Sequence, residues 1–92
     1  MPFTVSNNTD KQQFEIQVDG ETAFLQYRFL DDMIWLMHTE EPKRLEGKGL
    51  ATLLANYGLE WALANDKKVK VICPFVSVYL KRHPEYNSLV VK

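Results

Sequence analysis

The stretch Arg44-Leu45-Glu46-Gly47-Lys48-Gly49-Leu50-Ala51 has the residue types and spacing that most directly suggest chemistry. Gly47 and Gly49 stand at the mouth of a long helical pattern. Glycine lets the backbone turn through conformations closed to other residues and lets a ligand approach the amides. The helix behind them offers N–H groups without an intrahelical acceptor and the positive end of its dipole. A phosphate or pyrophosphate is the natural guest, and the bland alternative is a plain turn before a helix. Arg44 and Lys48 either add charge to such a site or stand as solvated surface cations. Cys73 precedes Pro74, a good first helical residue. A thiol there meets the positive end of a helix, which favours thiolate; otherwise it is a small core side chain. His38 follows an apolar run, and its ordinary pKa of about 6.5 suits a general base at neutral pH. Its other reading is a hydrogen-bonding stop at a strand end.

Three alternating or apolar runs precede the loop. Phe14, Ile16 and Val18 alternate with Glu15 and Gln17, the pattern of a half-buried strand. Asp19-Gly20 marks a hairpin turn. From Thr22 to Leu30, Ala23, Leu25, Tyr27 and Phe29 share one face and Gln26 and Arg28 the other. Asp31-Asp32 reads as a second turn. Met33 to Met37 is continuously apolar, which predicts a central strand covered on both faces. The first forty residues thus read as a three-stranded antiparallel meander.

Behind the loop the period becomes helical. Leu50, Leu53, Leu54, Tyr57, Trp61 and Ala64 form one stripe on a helix of about four to five turns. Leu59 and Leu63 fall opposite it, placed to meet the C-terminal segment or a second subunit. The helix is expected to end near Asn65-Asp66, with Lys67 and Lys68 at its negative end. Val69, Val71 and Cys73 then alternate with Lys70 and Ile72 as a fourth strand. A helix between two strands implies a parallel pair with a right-handed crossover. A short helix starts at Pro74 with Phe75, Val78, Tyr79 and Arg82 on one face, and Pro84 ends it. Ser88 to Val91 reads as a last strand, and Trp35 and Trp61 as core residues. The fold class is α+β: a meander, a loop-helix-strand parallel crossover and a short C-terminal helix.

Composition narrows the function. The 92 residues suit one domain, taken as 1–92. A net charge of -1 argues against nucleic-acid binding through a general basic field. No apolar stretch is long enough to cross a bilayer, and Met1-Pro2-Phe3-Thr4-Val5 lacks the features of a signal peptide. A lone cysteine forms no internal disulfide, so a reducing cytoplasm is the expected compartment. His83 and Glu85 around Pro84 make no recognisable metal site, and no metal is expected.

The order of elements, with a glycine loop between strand and helix, resembles the GNAT acetyltransferase fold. Its pyrophosphate loop is written [Gln/Arg]-x-x-Gly-x-[Gly/Ala], which Arg44, Gly47 and Gly49 fit. His38-Thr39-Glu40, Glu46-Gly47-Lys48-Gly49, Cys73-Pro74-Phe75-Val76 and Arg82-His83-Pro84-Glu85-Tyr86, in that order, resemble a subgroup of very small GNAT-like proteins. The likeness runs over roughly residues 12 to 88. Glu41 departs from that subgroup, which often carries an apolar residue where the chain enters the loop. The resemblance implies acetyl-coenzyme A as cosubstrate, its pantetheine arm between two splayed strands, Met33 to Thr39 and Val69 to Cys73. Its pyrophosphate would lie on the amides of Leu45, Glu46, Gly47, Lys48, Gly49, Leu50 and Ala51, a concave anion-binding run. Cys73 falls near the reactive end, open to a covalent route. Tyr79 matches a tyrosine that often protonates the departing thiolate, or is a core residue.

Three functions follow. One is an N-acetyltransferase acting on an unidentified amine, with a protein amine among the candidates. A second is a module that binds acetyl-coenzyme A without transfer, because the N-terminal helices that build much of the acceptor wall in larger relatives are missing. The third is an interaction domain with no nucleotide ligand.

Overall fold

The computed structural model describes residues 3–91. The single-domain expectation also takes in residues 1, 2 and 92, which lie outside the described residues. Five strands form one sheet in the order β1 (Ser6–Asn8), β2 (Gln13–Val18), β3 (Glu21–Leu30), β4 (Met33–Glu40), β5 (Lys68–Val71). The meander is antiparallel, as its alternation predicts, and its two tight turns have positive φ at Asp19 and Gly20 and at Asp31 and Asp32. β1 adds an edge strand that the sequence did not signal. Ser6-Asn7-Asn8 has no apolar alternation, and it is held by pairing with β2 and by Tyr27 Oη donating to Asn7 Oδ1 at 2.6 Å. β5 joins β4 in parallel through the crossover helix α1 (Leu50–Ala64).

α1 covers the sheet with a different face from the expected stripe. Leu50, Ala51, Leu54, Ala55, Gly58, Leu59 and Ala62 are buried, while Leu53, Tyr57 and Trp61 are half-buried on its flank. Leu59, expected opposite the core, is fully buried, and Ala64 is exposed. Large apolar residues set the stripe that periodicity predicts, whereas close packing selects small ones. A Cβ on Gly58 would stand 3.3 Å from Leu25 Cδ2 and 3.4 Å from Phe14 Cε2. That gap is what lets the helix settle onto the sheet. Leu63 remains 55% exposed.

β4 departs from expectation too. Ile34 and Leu36 are fully buried beneath α1, but Met33, Trp35 and Met37 on the other face are only half-buried. The short helix α2 (Pro74–Arg82) starts at Pro74 and stops before Pro84. Its buried residues are Val76 and Tyr79, whereas Phe75 and Val78, expected to share the Tyr79 face, are 38% and 51% exposed. The expected last strand is instead a 3-10 segment, Pro84–Leu89, followed by one parallel bridge from Val90 to Val69.

Candidate active site

The parallel pairing of β4 with β5 runs from Met33↔Lys68 to Leu36↔Val71 and stops there. The Leu36 carbonyl accepts from both Ile72 N–H (2.9 Å) and Cys73 N–H (3.0 Å). Beyond it β5 turns into α2, while β4 continues to Glu40 paired with β3 alone. The strands therefore splay at Leu36. A bulge lies at the same level: Gln26 pairs with His38 and Tyr27 with Leu36, which leaves Met37 as the extra residue. A bulge reverses which side chains face inward along the rest of the strand.

The reversal puts Thr39 on the helix side, opposite the buried Leu25, and His38 on the far side. Thr39 Oγ1 lies 3.0 Å from Cys73 Sγ across the splay. Cys73 caps α2 and is 2% exposed. His38 is solvent-facing, with its ring against Phe24 and Nε2 4.0 Å from Glu40 Oε1. The fold thus places Cys73 and His38 on opposite faces of β4, so no Cys-His pair forms. Thr39 is the partner that sequence reading missed, because its inward direction depends on the bulge.

The loop follows the one-sided end of β4 and leads into α1. Lys43–Leu45 form a 3-10 turn in which Leu45 N–H donates to Pro42 O and Glu46 N–H to Lys43 O. Leu45 itself is a core anchor, 1% exposed. Gly47 and Gly49 have φ of +87° and +80°, a region that costs an L-residue about 1–2 kcal/mol. A Cβ at either would meet nothing within 4 Å. Backbone direction and open space above the loop, not crowding, account for glycine here. Gly49 caps α1 with no side-chain hydrogen bond. Among the described residues, the N–H groups of Gly47, Lys48, Gly49, Leu50 and Ala51 have no backbone acceptor. Five such donors beside a helix N-terminus have the chemistry of an anion cradle. Arg44 pairs with Glu21, at the start of β3, at 2.6 Å. Lys48 is exposed on the loop and makes no ion pair among the described residues.

Beside the first turn of α1 a pocket of about 310 Å³ opens between the two helices, lined by Thr52, Phe75, Val78, Tyr79, Arg82 and His83. It combines exposed apolar surface with a cationic rim. Tyr79 stacks on His83 at 4.1 Å and its hydroxyl accepts from Asn56 Nδ2 at 3.2 Å. The same Asn56 amide donates to Tyr86 Oη at 3.1 Å, and Tyr86 donates onward to Glu60. Burial and the Glu60 carboxylate push the Tyr86 phenol well above its usual range, so Tyr86 stays a neutral donor. Asn56 thereby ties the Tyr79 hydroxyl to Tyr86. Asn56, half-buried in a largely apolar helix, joins the two tyrosines and is a residue that sequence reading passed over. Among the described residues no group of three His, Cys, Asp or Glu side chains stands together. No helix among them is long and apolar enough to cross a membrane.

Residues 13–89 match the family described as GCN5-related N-acetyl-transferase. The chain is 30% identical over 86 residues to Protein NATD1 of Mus musculus, covering 90% of this chain and 78% of that protein. The human NATD1 is also 30% identical over 86 residues, covering 90% and 76%. Among solved structures, the NMR solution structure of a GCN5-like protein from Staphylococcus aureus superposes with a TM-score of 0.73 at 25% identity. That superposition covers 96% of this chain and 87% of the other.

Proposed function

The chain belongs to the GCN5-related N-acetyl-transferase family, and on that premise we propose that it transfers the acetyl group of acetyl-coenzyme A to an amine, with protein amines among the acceptors. The glycine loop and the Cys-Pro-Phe-Val and Arg-His-Pro-Glu-Tyr segments suit the very small members of the family. One observation carries the reading: five N–H groups without backbone acceptors gather at residues 47–51, on the chain that leads out of β4 past the level where Thr39 meets Cys73. Bound acetyl-coenzyme A supplies a thioester whose carbonyl carbon the acceptor attacks. The cradle at residues 47–51 holds the pyrophosphate, and Lys48 adds positive charge. The pocket under Phe75 and Val78, with Arg82 at its rim, takes an adjoining apolar part of the ligand.

The free edge of β4 beyond Leu36 offers backbone N–H groups to polarise the thioester oxygen. In direct transfer the amine nitrogen bonds to the acetyl carbon, the carbon–sulfur bond breaks, and the departing thiolate takes a proton. Tyr79, aligned by Asn56, is the donor within the fold. His38, on the face away from α1, suits an acceptor arriving from that side and takes its proton. In the covalent route Cys73 loses its proton and Sγ bonds to the acetyl carbon as the coenzyme A thiolate leaves and is protonated; the amine then attacks that carbon, the bond to Cys73 Sγ breaks, and the amine proton returns to the thiolate. A reducing cytoplasm suits the single free thiol.

The test is to mix pure protein with labelled acetyl-coenzyme A and a panel of amines, peptides and proteins. No turnover above the hydrolysis blank with any acceptor would count against transfer. Intact mass of the wild type and of Cys73→Ala separates the routes. One acetyl group on the wild type only supports Cys73. A second reading, a module that binds without transfer, is favoured by the burial of Cys73 and its separation from His38. Calorimetric binding of coenzyme A in the absence of any turnover would establish it.

A further inference from the structure

Past the bulge, Thr39 and Glu41 alternate onto the inner side of the chain as it leaves β4 for the loop. Thr39 reaches Cys73 at one end of the groove. Glu41 reaches the other end, with its carboxylate against the N–H of Ala51 in the first turn of α1. Its Oε2 is buried and has no hydrogen-bond partner. No cation pairs with it among the described residues, and Arg44, three positions on, is committed to Glu21. The charge beside it is of like sign, from Glu46. A carboxylate oxygen kept from water without a partner is unfavourable. Among the groups that meet this carboxylate, only the helix N-terminus offers compensation.

We propose that Glu41 is an internal competitor at the anion cradle. In the free protein its carboxylate occupies the start of α1, and it must withdraw before a pyrophosphate reaches the Ala51 N–H. This rests on the acetyl-coenzyme A reading above. The chain places its own negative charge where the ligand places two phosphates, and one helix terminus does not serve both. Glu41 is itself only half-buried, so solvent already borders the side chain. Apparent affinity is then lowered by the fraction of molecules in which Glu41 is withdrawn. Glu41 is a positioning residue of this kind and not a catalytic one.

The experiment titrates coenzyme A, and separately inorganic pyrophosphate, into wild type, Glu41→Gln, Glu41→Val and Glu40→Gln by calorimetry. Glu40 is the control, because it carries the same charge one residue away and is exposed on the outer face. Both Glu41 variants are expected to bind coenzyme A and pyrophosphate about tenfold more tightly, with Glu40→Gln changed by less than about threefold. In the ligand-free protein the Ala51 amide resonance is expected to shift in Glu41→Gln and not in Glu40→Gln. Equal gains in the Glu40 and Glu41 variants would reduce the effect to net charge and overturn the proposal. Unchanged or weaker binding by both Glu41 variants would overturn it while leaving the acetyl-coenzyme A reading in place, provided the wild type binds. If no variant binds coenzyme A, both readings fall together. Thermal melts confirm that each variant is folded, and Glu41→Val serves where Glu41→Gln is unstable.

Discussion

The two halves of β4 have opposite fates. From Met33 to Leu36 the strand is hydrogen-bonded on both sides, to β3 and to β5, and Ile34 and Leu36 lie fully buried beneath α1. From Met37 to Glu40 it is paired on one side, and its exposed and half-buried side chains border the splay. A single bulged residue separates the two. The first half is stabilised by apolar area removed from water. The second is defined by what it leaves unpaired, which is what a ligand needs. One strand thus serves as core and as one wall of the splay, with the division at Leu36, whose carbonyl takes the last two hydrogen bonds from the departing chain.

The sharpest way to break this comparison is to truncate each half. Leu36→Ala is expected to cost about 2–5 kcal/mol of stability, read by urea denaturation, because a fully buried side chain leaves a cavity. Thr39→Ala beyond the bulge is expected to cost less than half of that. If the two cost the same, the division at Leu36 has no energetic meaning. Next in size is Gly47→Glu, which adds a charged side chain over the cradle and forces φ of +87° on an L-residue. Coenzyme A affinity is expected to fall by about a hundredfold, roughly 2.7 kcal/mol. The strain at φ alone lowers stability by only about 1–2 kcal/mol. Wild-type affinity in this variant would rule out the loop as the anion site.

Thr39→Val is a smaller perturbation. It removes the contact at 3.0 Å between Oγ1 and Sγ while keeping the shape. Stability should change by no more than about 1 kcal/mol. The rate of Cys73 modification by a thiol reagent should change at least about twofold if the hydroxyl orients the sulfur. An identical rate would leave Cys73 as a packing residue. The smallest effect is the pH profile. Burial, with the Glu46 charge second, holds the Glu41 carboxyl above the ordinary glutamate range. Its ionised form therefore opposes folding. That cost is absent below the ordinary glutamate pKa and grows as pH rises through the raised one, so stability declines across that window. Glu41→Gln should flatten the decline. Asp32 acts in the other direction: Lys67 holds its carboxyl below the usual range, and the small benefit is lost as pH falls through that lowered pKa. A Glu41→Gln profile parallel to wild type would remove Glu41 from the cradle.

Much of the site was legible along the chain. The glycine pair, the helix start behind it, Pro74 after Cys73 and Pro84 after α2 each have a local cause: permitted φ, a missing N–H or a helix dipole. The buried face of α1 is not legible from periodicity, because Ala51, Ala55, Gly58 and Ala62 share it with Leu50, Leu54 and Leu59, and these small residues carry little apolar signal but permit close approach. The role of Arg44 as a ligand contact was left open, and its partner Glu21 lies at the start of β3. Neither could be inferred from spacing. Glu41 was visible as an oddity at the loop entrance, but its carboxylate acquires meaning only beside Ala51.

Chemistry within a few residues therefore accounts for the order of strands and helices, the two hairpin turns, the crossover and the glycine loop at the start of α1, because turns, caps and periodicity act over one or two turns of chain. Packing across the sheet accounts for the edge strand β1, the bulge at Met37, the meeting of Thr39 with Cys73 across 34 residues and the separation of Cys73 from His38. A bulge shifts every later side chain of its strand to the other face, and its position follows from how two strands register against one helix. That is a property of the assembled core, which no window of the sequence contains.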